Sequence, residues 1–133
     1  MENKPLYLFV CIENACRSQM AQGLFNSLTK KAIAESAGVA PAKEINPIAI
    51  EMMTERNIDI SEQYPKMITP EMTVQATKII TMGCIDKCPF TPAEKTIEWN
   101  IPDPKGKNKV FFVEIRNLIE EHINKLLKDG HLI

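Results

Sequence analysis

The sequence predicts a three-layer αβα domain around a mostly parallel sheet of about four strands. Strand-like apolar runs alternate with stretches whose apolar residues recur every three or four positions, the first run is apolar throughout, and no repeat or linker divides the chain. Leu6-Tyr7-Leu8-Phe9-Val10, ending in the polar loop Cys11 to Ser18, reads as a strand buried on both faces of a parallel sheet. From Ser18, Met20, Ala21, Leu24, Phe25 and Leu28 share one side of a helix running to about Lys31, which opens a βαβ unit. Ala32 to Ala37 is a second strand closed by Gly38. Pro47 starts a helix to about Asn57 with Ile48, Met52 and Met53 inward, and Asp59 to Thr69 is connection. Ala76 to Met82 is a third strand ending at Gly83, and Thr96 to Trp99 a short fourth. A last helix spans about Asn108 to Lys128. Phe111, Ile115, Leu118, His122 and Leu126 form its stripe, widened by Phe112, Ile119 and Ile123, with Gly130 at its stop.

With 133 residues, 44% hydrophobic and 25% charged, one domain over residues 1–133 is expected. The 16 Lys+Arg and 17 Asp+Glu leave no basic excess to grip nucleic acid, so none is expected as a partner. The N-terminus lacks a signal-peptide pattern and Leu6 to Ile12 is too short to span a bilayer, so no membrane association and a cytoplasmic location are expected. A chain this long buries about two thirds of its unfolded surface and needs no cross-links, so its four cysteines invite a chemical explanation. Four residues between Cys11 and Cys16, and three between Cys84 and Cys88, suit zinc knuckles poorly.

The informative segment is Cys11-Ile12-Glu13-Asn14-Ala15-Cys16-Arg17-Ser18, between a buried strand and a helix. Ligands of open α/β sheets bind beyond the carboxyl ends of the strands, and a loop whose N–H groups converge at a helix N-terminus forms an anion cradle. Arg17 can grip two oxygens of a tetrahedral oxyanion with its planar fork, and the same field favours Cys11 as a thiolate nucleophile. Ser18 can steady that thiolate and is a candidate helix cap. Asn14 tolerates the left-handed backbone and can hold the loop's shape.

The segment Cys11 to Gly23 (CIENACRSQMAQG) resembles the phosphate loop of the low-molecular-weight protein tyrosine phosphatase superfamily, and within it the thioredoxin-coupled arsenate reductases. The resemblance continues through Ser36-Ala37-Gly38, Asn57 to Ser61, Thr81-Met82-Gly83-Cys84, Cys88-Pro89 and Trp99 to Pro104. It implies that Ile12 to Arg17 bind an oxyanion, arsenate or a phosphate-like anion, and that Asp103 protonates the departing oxygen. It further implies a relay in which Cys11 attacks arsenate, Cys84 attacks Cys11 to release arsenite, and Cys88 attacks Cys84, leaving a Cys84–Cys88 disulfide for thioredoxin.

A disulfide needs Cβ atoms about 3.5–4.5 Å apart, whereas helix positions four apart hold them at about 5–6 Å. Cys84 to Cys88 must therefore bend, and a mobile loop around residues 84 to 92 is expected. Cys16 is expected to be non-essential, His122 and His131 structural or solvated, and Trp99 to pack under the Asp103 loop. Some related reductases hold an alkali cation through an acidic residue where this chain has Gln22. That carboxylate is absent, and neither metal nor cofactor is expected. The alternative implied function is a tyrosine phosphatase using Cys11, Arg17 and Asp103. It is disfavoured because Lys105-Gly106-Lys107 stands where phosphatases usually carry tyrosines after Asp-Pro. A third reading is an oxyanion or thiol-redox sensor.

Overall fold

The computed structural model describes residues 4–83 and 91–133. Among the described residues the sheet has four strands, β1 (Leu6–Cys11), β2 (Ile33–Gly38), β3 (Lys78–Met82) and β4 (Thr96–Trp99), in the order β2-β1-β3-β4. All three pairings are parallel. The chain leaves β1 toward β2 and returns past it to β3, so β1 and β3 flank the point where the winding reverses, and a crevice opens there beyond the strands' carboxyl ends.

β1 is buried on both faces because its side chains alternate between two cores. Tyr7, Phe9 and Cys11 face the larger core with α1 (Arg17–Leu28), α2 (Pro47–Thr54) and α4 (Lys109–Asp129). Leu8 and Val10 face the smaller one, closed by Ile68, Met72 and Ala76 around α3 (Pro70–Gln75). Among the described residues, no helix is long and apolar enough to cross a membrane.

Several boundaries differ from the sequence expectation for reasons of tertiary contact. α1 stops at Leu28 instead of near Lys31, because Thr29 turns extended and its hydroxyl donates to the Leu132 carbonyl at 2.6 Å. α2 stops at Thr54 instead of Asn57. Asn57 takes φ 59°, with Asn57 N–H on Thr54 O and Ile58 N–H on Met53 O, the Schellman closure. α3 went unforeseen, although Thr69-Pro70 carries the signal: the Thr69 hydroxyl accepts from Met72 N–H and Pro70 opens the helix. β3 begins at Lys78, two residues later than expected.

In α4 the stripe turns from the expected one. Phe112, Ile115, Ile119, Ile123 and Leu127 are its buried centre, while Phe111, Leu118 and Leu126 are partly buried flanks. The reason is that α4 lies on both α1 and α2, so the deepest line bisects the two contacts. Left-handed geometry at its end belongs to His131, φ 56°, and Gly130 instead keeps a negative φ and leaves room for the Tyr7 hydroxyl.

Candidate active site

Cys11 is the last residue of β1 and its buried sulfur lies at the start of the loop that leads into α1. That loop is shaped from outside by its own carbonyls. Ile12 O accepts from Ala40 N–H, Glu13 O from Ala42 N–H, Asn14 O from the Gln19 side chain and Ala15 O from Asn46 N–H, at 2.8 to 3.0 Å. Because C=O and N–H point oppositely across a trans peptide, four carbonyls turned outward aim the next four N–H groups, Glu13 to Cys16, at the concave side. The α1 N-terminus adds its partial positive charge.

Asn14 is the pin. Fully buried at φ 53°, it accepts from Lys66 N–H at 3.0 Å and donates through Nδ2 to the Ser18 hydroxyl at 2.7 Å. The Ser18 hydroxyl in turn lies 2.9 Å from Cys11 Sγ, where its proton can be donated to the sulfur once that is a thiolate. Ser18 thus stands beside the sulfur, but it is not the helix cap. It lies inside α1, and Cys16, which precedes the helix, makes no side-chain cap bond.

Arg17 is buried with its guanidinium turned to the sheet's carboxyl end. Nη1 donates to Ile101 O at 2.9 Å, and Nη2 lies 3.7 Å from Asp103 Oδ2. Two glycines give the loop and this arginine their room, a role the sequence reading did not assign. A Cβ on Gly83, φ 82°, would stand 2.7 Å from Arg17 Nη1, and one on Gly38 would stand 2.7 Å from Ile12 O. Gln19 and Gln63, also unforeseen, brace the loop from beneath through a 2.7 Å side-chain bond.

Asp103 stands half-exposed across the cleft, its Oδ1 accepting from Lys105 N–H at 3.0 Å. Lys105 Nζ in turn reaches Glu13 Oε2 at 2.7 Å, and this hydrogen bond raises Lys105 above the ordinary lysine range. Cys11, Arg17, Asp103, Glu13 and Lys105 thus line one small cleft, together with Ala15 and Cys16. Burial, and then the negative charge of Asp103 and Cys11, push the Cys16 thiol up to about 12, which makes it a poor nucleophile beside Cys11.

Trp99 packs between Phe9 and His122, with ring centroids at 5.8 and 4.9 Å, and belongs to the core. His122 is structural, its Nδ1 2.9 Å from Leu118 O. Gln22 accepts from the Ser36 hydroxyl at 2.6 Å, a neutral pair where the resemblance would put a cation-binding carboxylate. Cys84, Cys88 and the expected mobility of that segment lie outside the described residues.

An arsenate reductase of Bacillus cereus (strain G9842) is 37% identical over 98% of this chain and 99% of its own length. The thioredoxin-dependent arsenate reductase of Corynebacterium glutamicum superposes with a TM-score of 0.84 at 35% identity, covering 98% of this chain and 64% of that one. Vibrio vulnificus Wzb, solved with benzylphosphonate, superposes with a TM-score of 0.86 at 25% identity over 96% and 99% of the two chains. Residues 7–131 match the family model for low molecular weight phosphotyrosine protein phosphatase, and with the cradle, its cysteine and its arginine in place the chain belongs to that family.

Proposed function

We propose that this protein is an arsenate reductase that converts arsenate to arsenite with electrons from its own thiols, restored by thioredoxin. The observation that carries the reading is the convergence on Cys11 of the Ser18 hydroxyl, the inward loop amides, Arg17 and Asp103. The 37% identity to an arsenate reductase along nearly the whole chain and the presence of Cys84 and Cys88 favour reduction over simple ester hydrolysis.

Arsenate oxygens bind the loop amides and the free edge of Arg17. The Cys11 thiolate, steadied by Ser18, attacks arsenic, and Asp103 in its acid form protonates the departing oxygen, which leaves as water. Cys84 then attacks Cys11 Sγ. The S–As electron pair departs with arsenic, As(V) becomes As(III), and arsenite leaves behind a Cys11–Cys84 disulfide. Cys88 attacks Cys84 Sγ, frees Cys11, and the resulting Cys84–Cys88 disulfide passes to the thioredoxin dithiol. The phosphatase reading has one observation in its favour, that the same cradle and thiolate can attack a phosphoryl group, so weak phosphatase activity accompanies the reductase.

A single turnover tests the relay. Reduced protein with arsenate and no other reductant is expected to release one arsenite per chain and to carry Cys84–Cys88 by mass spectrometry. Cys88→Ser is expected to trap Cys11–Cys84. Folded protein that returns free thiols and no arsenite overturns the reading.

A further inference from the structure

The ion pair between Glu13 and Lys105 spans 92 residues of sequence and joins the anion loop to the segment that carries Asp103. A carboxylate on the rim of an anion cradle repels an incoming dianion unless a cation offsets it, and Lys105 does so at 2.7 Å. Both side chains are partly exposed, so the pair contributes little stability and is screened by salt. Its consequence is spatial. Glu13, Ala15, Cys16 and Lys105 line two cavities at once. On one side is the cleft of Cys11, Arg17 and Asp103, with room for about 10 Å³, the space of one water centre. On the other is a groove of about 250 Å³ reaching Ala42, Ile45, Asn46 and Pro47.

From this partition we infer that the Glu13–Lys105 bridge is a specificity gate, which keeps the cleft to free tetrahedral oxyanions by closing it off from a groove able to take an organic leaving group. A bare oxyanion needs only a small yielding of the flexible Lys105 side chain. An aryl ester needs the bridge parted and the groove opened, so its ring finds Ala42, Ile45 and Pro47 only at the expense of two unpaired charges. The discrimination is thus built against the larger substrate more than for the smaller one. This inference deepens the arsenate reading, in that it names the side-chain pair that excludes organic esters from the same site, but the gate itself requires only the Cys11 cradle.

The test uses 4-nitrophenyl phosphate hydrolysis and its inhibition by inorganic phosphate, neither of which involves Cys84, Cys88 or arsenate. The double variant E13A/K105A removes one charge of each sign, so the rim's net charge is unchanged while the partition is lost, and reading hydrolysis against phosphate inhibition cancels changes common to both anions. Its kcat/KM for 4-nitrophenyl phosphate, multiplied by its Ki for phosphate, is expected to rise about tenfold or more over the parent. The reversed pair E13K/K105E, which rebuilds a bridge, is expected to return that product toward the parent value. If the double variant does not fold, E13Q/K105M, which keeps side-chain bulk but no charge, is read by the same product, is expected to show the same rise, and overturns the gate if it matches the parent. A product unchanged in E13A/K105A, or as high in the reversed pair as in the double variant, overturns the gate. Arsenate turnover by the parent, scored separately, tells failure of the gate from failure of the reductase reading.

Discussion

Two cysteines five positions apart on one loop meet opposite fates because of what each sulfur faces. Cys11 Sγ lies 2.9 Å from the Ser18 hydroxyl that Asn14 anchors, whereas Cys16 is held protonated by burial first and then by the negative charge of Asp103 and Cys11. Since Cys16 stays a thiol up to about pH 12, iodoacetamide at pH 8 is expected to label Cys11 and spare it. Peptide mapping by mass spectrometry checks this, and comparable labelling of both would contradict the assignment. The same shift acts on stability. In the unfolded chain Cys16 ionises near 9.0 and in the folded chain near 12, so between those values the unfolded state holds fewer protons and Cys16 lowers stability as pH rises.

Elements meet at the site through their ends. β1 delivers Cys11, the first residue of α1 is Arg17, and just past the end of β3 is Gly83, whose positive φ and missing Cβ let the Arg17 guanidinium lie against the backbone. Thr81 Oγ and Gly83 N–H both donate to Glu98 of β4, at 3.2 and 3.4 Å, which ties that end to the neighbouring strand. Gly83→Ala is therefore expected to cost about 1–2 kcal/mol in strained backbone. It should also displace Arg17 and weaken phosphate inhibition at least tenfold, about 1.4 kcal/mol. Urea unfolding and a Ki measurement read the two effects apart. An unchanged Ki would show that Arg17 does not depend on this contact.

At the scale of the whole molecule, the doubly wound order β2-β1-β3-β4 makes the two central strands, β1 and β3, the shared wall of both cores. Phe9, fully buried at the middle of β1, packs edge-on to Phe25 of α1 and against Trp99 of β4, both at 5.8 Å. It connects the helix that opens the site to the strand that leads to Asp103. Phe9→Ala is expected to cost about 3–5 kcal/mol, a large share of the roughly 5–15 kcal/mol that holds an ordinary domain. Denaturant titration followed by Trp99 fluorescence checks it, and a loss below about 1 kcal/mol would place the core's main support elsewhere.

What the sequence by itself determined is what lies within a few residues of chain. An unbroken apolar run makes β1 double-buried, periodic spacing makes α1 and α4, and the short path from Cys11 to Ser18 forces thiol, arginine and hydroxyl to share one strand-to-helix turn whatever the rest of the fold does. The missed α3 was legible too, in Thr69-Pro70, but its short length carries little periodicity. The tertiary structure alone decided what depends on strand order. Only once β3 lies beside β1 does Gly83 come under Arg17, and only once β4 follows does the Asp103 segment bring Lys105 to Glu13. The same holds for the end of α1, set by a carbonyl 103 residues away, and for the centre of the α4 stripe, set by two helices packed on it at once. Local patterns register propensities and spacing along one element. Contacts between elements are selected by the closure of the whole core, and no single segment encodes them.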